Sequence, residues 1–151
     1  MRADTAPSPL SKQRLRVWLR MLAAQRGMET QLREKLRTDH DSTLPRFDVM
    51  SALERYRDGL RMSDLSAKLK VSNGNVTGIV ERLVSEGLVE RVAVDGDRRA
   101  MRVRLTRAGL VRFTDMADAH EAWVDGLLSH LNADELETLI TLLDRIGESD
   151  T

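Results

Sequence analysis

The sequence contains no cysteine, which excludes a disulfide framework, a thiolate metal site, a cysteine nucleophile and a cysteine-based redox switch. It also lacks any apolar run close to the roughly 18–20 residues that a membrane-spanning helix needs. The first nine residues lack the apolar core of a signal peptide. We therefore expect a soluble, cytoplasmic protein with no membrane partner.

Patterns typical of enzymes are missing as well. The three histidines, His40, His120 and His130, do not have the spacing of an HExxH zinc motif, and neither a GxSxG turn nor a P-loop is present. A pair of carboxylates for acid–base catalysis could lie among the acidic residues, but the sequence singles out none. We expect no catalytic site, no metal and no cofactor, and we interpret His120 as a core or interface residue.

What the chain has is a globular composition with an uneven distribution of charge. Its 151 residues are 41% hydrophobic and 32% charged, enough for one compact domain with a core. The net charge is zero, but residues 1–59 and 60–107 each carry four more basic than acidic residues, whereas residues 108–151 carry eight more acidic than basic ones. A basic middle beside an acidic tail predicts one surface for a polyanion and another for protein contacts. An acidic helix pair that is merely soluble is the alternative.

The apolar spacing in the first part of the chain predicts four helices. Ser8-Pro9 is a start signal for a long helix that we expect to end near residues 37–39. A helix this long on a small protein usually packs against more than its own domain, which hints at an oligomer. The other three are predicted at Leu44–Tyr56, Ser63–Leu69 and Ser72–Glu86. Thr43 with Pro45 is the start signal of the helix at Leu44–Tyr56, Ser63 is the expected cap of its helix, and Gly87 is the expected left-handed C-cap.

The pattern then changes to alternation and back to helical spacing. Val89–Val94 and Met101–Leu105 predict two strands joined by a five-residue charged loop at residues 95–99. Thr106 is the predicted cap of a second long helix, and Asn132 with Glu135 forms a capping box for a last helix. This order predicts a mainly α (α+β) fold, a winged helix-turn-helix with a two-stranded wing.

The second short helix of this motif presents its N-terminal end to the major groove of DNA. Ser72, Asn73, Asn75 and Thr77 are polar residues at that end, able to bond base edges or phosphates. Ser72 is equally well explained as the helix cap. Val76 is able to contact a thymine methyl group, but core packing explains it at least as well.

The loop between the strands carries the second group of expected DNA contacts. Arg98 and Arg99 at a protruding turn fit the narrow minor groove, and Asp97 is placed to orient the Arg99 guanidinium. In isolation these residues would be explained by a solvated turn with an internal ion pair. Their place after a short helix pair and between two strands favours DNA binding.

Two stretches, LPRFDVMSALER and MSDLSAKLKVSNGNVTGIVERLVSEGLVERVAVDGDRRAMRVRLTRAG, resemble the MarR family. The resemblance covers nearly the whole chain and implies a homodimer that binds a palindromic operator, most often as a repressor, and releases it when a small aromatic or phenolic ligand binds. Matched by position, the implied DNA-binding residues are Asn73, Asn75, Val76, Thr77, Arg82 near the backbone, Asp97 and Arg99. Gly78 departs from the family, since several members have Arg there.

The resemblance also accounts for the long terminal helices, because a lone chain would expose their leucine-rich stripes. We expect a stable dimer that holds two recognition helices about 34 Å apart, matching a palindrome. The chain is then a single domain with three parts: residues 8–58 support and dimerise, 60–106 bind DNA, and 107–149 complete the dimer.

In this family the effector lies between the dimer helices and the DNA-binding lobe. The residues that we expect near it are Trp18, Arg20, Arg46, Phe47, Met50 and Phe113. Trp18 and Phe47 lie on apolar stripes, so core packing is the simpler interpretation, and Arg46 is placed to meet a carboxylate. The many arginines of the first helix fit an anionic effector, such as an aromatic acid or its coenzyme A thioester, or simply a solvated helix. A winged-helix module that binds only proteins and responds to no ligand is the alternative function.

Overall fold

The computed structural model describes residues 8–69, 73–94 and 97–148, with the backbone alone at residues 73–74 and 97–100. Six helices and three strands follow one another in these ranges. They are α1 (Pro9–His40), α2 (Leu44–Arg55), β1 (Leu60–Arg61), α3 (Met62–Leu69), α4 (Asn73–Ser85), β2 (Val89–Val94), β3 (Asp97–Leu105), α5 (Arg107–Leu127) and α6 (Ala133–Gly147). The fold is mainly helical with one small sheet, as the sequence predicts.

Short polar side chains fix where the helices begin. Ser8, Thr43 and Thr106 each accept a hydrogen bond from a backbone N–H of the first turn of α1, α2 and α5. Such a bond satisfies one of the four N–H groups that a helix start leaves without partners. At α6 the predicted capping box is complete, since Asn132 and Glu135 bond each other's backbone at 2.9 and 3.1 Å. These four predicted caps are confirmed.

The sheet has one strand more than predicted. Leu60 and Arg61 pair with Val103 and Arg102, so the two strands of the predicted wing are joined by β1 in a sheet of order β1-β3-β2. A two-residue strand has no alternation that a sequence pattern can show. Because α3 begins at Met62 directly after this strand, Ser63 lies inside the first helical turn, and its predicted role as the cap is wrong.

The wing hairpin is also tighter than predicted. Strand β3 begins at Asp97, which pairs with Val94 across an irregularity between Ala93 and Val94. Part of the expected five-residue loop is therefore strand, because the bulge allows pairing to continue past the regular ladder.

The core lies where α2, α3, α4, β3 and α5 meet around the C-terminal part of α1. Its most deeply buried side chains are Leu36, Val49, Met50, Leu53, Leu65, Val76, Val80, Leu83, Val89, Val103 and Met116. Helix α1 contributes Leu36 as its one buried residue, and β2 adds Val89 at the edge of the wing. The α1 helix therefore uses only its last turns for this core.

Two apolar faces stay outside that core. The first half of α1 exposes Leu10, Leu15, Val17, Trp18 and Leu19, and α6 exposes Leu139, Ile140, Leu142, Leu143 and Ile146. No residue of α6 is buried. A concentration of exposed apolar residues on a helix usually marks a contact with another molecule. Within the ranges that the structure describes, no helix has the length and apolarity to cross a membrane.

Candidate nucleic-acid interface

The exposed face of α4 carries part of the expected DNA-contacting set. Asn75 and Thr77 lie on the solvent side of this helix, whereas Val76 between them has no exposed surface. A fully buried side chain cannot reach a base, so the interpretation of Val76 as a base-reading residue is wrong and it is a core residue. Ser72 and the side chain of Asn73 lie outside the described residues.

The C-terminal end of α4 is held by backbone bonds. The N–H of Leu88 donates to the carbonyl of Leu83 at 2.9 Å, and that of Gly87 donates to Val84 at 3.0 Å. Gly87 has φ +76°, the left-handed conformation that a side chain would disfavour. The predicted glycine cap is confirmed. Arg82 lies exposed in the last turn of α4, near the start of the wing.

The wing consists of β2 and β3. Across this pair, the Arg104 Nε donates to Glu90 Oε1 at 2.8 Å, which ties two side chains that stand opposite each other in the ladder. The backbone of Asp97, Arg98 and Arg99 begins β3 at the end of the wing remote from the core. Their side chains lie outside the described residues, so their roles in DNA binding stay predictions.

One joint links α4, the wing and α5. Thr106 donates from Oγ1 to the Gly87 carbonyl at 2.7 Å and from its N–H to the Leu88 carbonyl at 3.0 Å, while its Oγ1 accepts from Gly109 at 3.0 Å. Gly109 is buried so tightly that a Cβ would lie 1.9 Å from the Leu88 oxygen. The LTRAG segment thus connects the end of α4 to the start of α5, a role that the sequence pattern did not reveal.

Arg46 of α2 forms a second link, to Glu86 at the end of α4. Its guanidinium donates two hydrogen bonds to Glu86, Nη1 to Oε1 at 3.2 Å and Nη2 to Oε2 at 2.5 Å, across 40 residues of sequence. Arg46 is 14% exposed, and its hydrogen bonds lower the pKa of the Glu86 carboxyl. The carboxylate that we expected from an effector is supplied by the chain itself, so α2 is tied to the end of α4.

Three of the residues expected near an effector belong to the core instead. Phe47, Met50 and Phe113 are buried, and the Phe47 ring packs against Phe113 with 5.5 Å between centroids. His120 stacks on Phe47 at 4.7 Å, in agreement with its interpretation as a core or interface residue. Core packing of Phe47 is thereby confirmed.

Trp18, unlike Phe47, is not part of the core. It is 55% exposed, so the interpretation as a core residue of its own chain is wrong. It belongs to the exposed apolar residues of α1. Their spacing is the same as that of core residues, because apolar residues that pack against a partner molecule follow the same helical period. Two of the α1 arginines, Arg33 and Arg37, form ion pairs with carboxylates on their own helix, each at 2.6 Å.

A cleft of about 930 Å³ opens beside α1 and is hereafter the α1–α6 cleft. It is lined by Arg20, Met21, Ala24, Gln25, Met28, Glu29, Leu32, Arg33, Leu44, Pro45, Asp48, Leu128, Leu139 and Leu143. Arg20 is the one residue of the expected effector set on this wall. The methionines were missed, although positions 21, 24, 28 and 32 have the spacing of one helix face.

Asp48 is the acidic group at the α2 side of this cleft. The pKa of its carboxyl is raised, because the surrounding helices remove water from the charged form and Glu29 adds a like charge, while His120 opposes the shift. The cleft is therefore apolar along α1 and α6, with a cation at Arg20 and a carboxyl that gains a proton more readily than an ordinary aspartate.

The MarR family model, described as "MarR family", matches residues 40–100, which run from the last residue of α1 into β3 of the wing. The helix-turn-helix-type transcriptional regulator BilQ of Clostridium symbiosum is 29% identical over 93 residues, which is 62% of this chain. The chain spans less than two thirds of that relative, 65% of its length.

Solved structures extend the likeness to the terminal helices. A MarR family transcriptional regulator from Silicibacter pomeroyi is 32% identical, with a TM-score of 0.80 over 95% of this chain and 99% of that one. A mutant MarR from E. coli complexed with operator DNA is 26% identical, with a TM-score of 0.76 over 92% of this chain and 99% of that one. On this sequence, fold and architecture, the chain belongs to the MarR family of winged helix-turn-helix transcriptional regulators.

Proposed function

We propose that this protein is a homodimeric, effector-responsive repressor that binds a palindromic operator. The observation that carries the proposal is the exposed polar edge of α4, with Asn75 and Thr77, joined rigidly to the wing by Thr106. The E. coli relative with a comparable fold was solved with operator DNA. An α-helix in the major groove with a wing in the flanking minor groove is the binding mode that this arrangement supports.

A second copy of the chain is the proposed cover for the apolar faces of α1 and α6. The α6 face borders the α1–α6 cleft through Leu139 and Leu143, and the α1 face ends at Leu19, next to Arg20 of the same cleft, so one partner can cover both. A two-fold pair would also place two α4 helices for the two halves of a palindrome. Light scattering at micromolar concentration should give twice the chain mass of 17.1 kDa, and a monomeric mass would contradict the proposal.

DNA binding is tested with Arg99→Ala. We expect this variant to bind the palindromic duplex upstream of its own gene much more weakly, because an arginine in the minor groove meets concentrated negative potential there. Arg26→Ala is the matched control, since Arg26 is exposed on α1 and its replacement removes the same positive charge. Both variants should keep the helix content and the dimer mass. Equal affinity of the two variants would remove the wing from the proposal.

The proposed effector site is the α1–α6 cleft, and the proposed effectors are aromatic acids or their coenzyme A thioesters. Apolar walls suit an aromatic ring, and Arg20 suits its carboxylate or phosphates. A thermal-shift screen with aromatic acids should raise Tm in the wild type and in Arg26→Met, but much less in Arg20→Met. The same ligands should release the operator in a mobility-shift assay, and release without any difference at Arg20 would place the effector elsewhere.

A further inference from the structure

A smaller cleft of about 340 Å³ lies between α2 and α3, and it shares only Asp48 with the lining of the α1–α6 cleft. Its rim carries Arg55 and Tyr56 from the end of α2 and Lys68 from the last turn of α3, hereafter the Tyr56 cluster. All three side chains are exposed. Since Arg55 and Lys68 form no ion pair with a carboxylate in the part of the chain that the structure describes, both charges are available to another molecule.

The side chains of the Tyr56 cluster present hydrogen-bond donors to the solvent. Lys68 Nζ donates to the Tyr56 hydroxyl at 2.9 Å and stands 4.3 Å from the centroid of its ring. Because the phenol oxygen accepts from Lys68, its own hydrogen is directed away from that ammonium. Two further N–H groups of Lys68 and the guanidinium of Arg55 are also donors. The cluster therefore offers only donors, which is the complement of a phosphate group.

The position of the cluster links it to α4. Leu69 and Asp48, which line this cleft, also line a neighbouring cleft that reaches Asn75 and Ile79 of α4. The cationic rim thus adjoins the polar edge of α4 that faces DNA in the proposed function. A lysine five residues before the start of α4 is near the backbone that flanks the groove which α4 enters.

The carboxyl of Asp48 disfavours a small anion inside the cleft but not a phosphate chain that passes along its rim. This carboxyl lines the cleft, so a small anion placed inside would meet a like charge, whereas a chain of phosphates passing along the rim would not. We propose that Arg55, Tyr56 and Lys68 together bind a backbone phosphate of the operator, outside the groove that α4 reads. This proposal rests on the proposed function, because it assigns one contact of the same complex.

The test begins with a duplex enriched from a random library by the wild-type protein. Without a sequence-preferring duplex the proposed function itself fails, and that failure is separate from the test of the Tyr56 cluster. With the duplex in hand, Lys68→Gln should reduce the slope of log K against log salt by about 0.9, since one phosphate contact fewer releases one counterion fewer. This corresponds to an affinity loss of about fivefold at 0.15 M salt.

Three further variants sharpen the result. Lys68→Arg should keep the wild-type slope, Tyr56→Phe should lose affinity equally for specific and random duplexes, and Arg26→Gln should change neither. An unchanged slope in Lys68→Gln, or a loss confined to the specific duplex, would overturn the assignment. A rise in Tm with inorganic phosphate at constant ionic strength, abolished by Lys68→Gln without any change in the DNA slope, would assign the cluster to a free anion and overturn it as well.

Tyr56 supplies an independent readout, because it is the only tyrosine in the sequence. Lys68 lowers the pKa of the Tyr56 phenol through its hydrogen bond and charge. An adjacent DNA phosphate stabilises the neutral phenol and should raise this pKa in the complex. Phenolate absorbance should therefore shift to higher pH when the enriched duplex is added, and an unchanged titration would contradict contact with Tyr56.

Discussion

Replacing Gly109 with alanine should destabilise the fold, although the same replacement inside a helix is ordinarily stabilising. Gly109 lies in the first turn of α5, where its backbone N–H bonds the Thr106 hydroxyl. An added Cβ would stand 1.9 Å from the oxygen and 2.9 Å from the carbon of the Leu88 carbonyl, and 3.2 Å from Leu105 Cδ2. The first two atoms are backbone, so rotation of a side chain cannot relieve the overlap.

The size of the effect follows from that geometry. Backbone must move by about 1 Å to reach an ordinary contact, and overpacking of this kind typically costs about 1–3 kcal/mol. The same movement stretches the 3.0 Å bond from Thr106 N–H to the Leu88 carbonyl, and losing a buried hydrogen bond costs about 1–3 kcal/mol. Together they give a loss of about 3 kcal/mol, or about 6–12 °C in Tm for a chain of this length.

The assay is thermal unfolding at one fixed protein concentration, because oligomerisation makes Tm depend on concentration. Gly78→Ala is the matched control, since Gly78 is inside α4 and has no neighbour within 4 Å of an added Cβ. That variant should gain about 1 kcal/mol from helix propensity and raise Tm by about 2–4 °C. If Gly109→Ala unfolds at or above the wild-type temperature, the close approach to Leu88 does not govern this joint.

The remaining predictions concern binding, pH and assembly. Gly78→Ala should weaken operator binding while it stabilises the fold, if the DNA backbone approaches α4 closely there; equal affinity would refute that approach. Glu86→Gln should cost less than about 1 kcal/mol near pH 7, since the pair is partly exposed. Arg46 keeps the pKa of Glu86 below its ordinary 4.5, so this loss is present above that pH and should vanish as pH falls through the lowered value, in parallel melts of both proteins. Ile140→Arg on the exposed face of α6 should yield a monomer by light scattering, whereas an unchanged mass would place the dimer contact elsewhere.

Features of the fold that depend on neighbouring residues were predictable from the sequence. The caps at Ser8, Thr43 and Asn132 are examples, because a short polar side chain bonds an N–H only two or three positions away. Gly87 is another, since its left-handed conformation is a property of the single residue. In each case the sequence contains both partners of the interaction within one turn.

Features that depend on distant packing were not predictable. Strand β1 exists because Leu60 and Arg61 meet β3 about 40 residues later, and nothing in a two-residue segment signals that pairing. The pairing of Arg46 with Glu86 has the same origin. Trp18 shows the reverse problem, because the spacing that predicts a buried stripe is the same whether the cover comes from the chain itself or from a partner.

The Thr106 joint has a mechanical consequence for any ligand that acts on the terminal helices. It fixes the start of α5 to both the end of α4 and the wing through Gly87 and Leu88, so these two parts are carried along together when α5 tilts. With 21 residues α5 is about 30 Å long, and a tilt about its far end displaces the joint by about 0.5 Å per degree. A rotation of five or six degrees would thus shift α4 and the wing together by about the length of a hydrogen bond. Such a shift is enough to misalign α4 with one groove of the duplex.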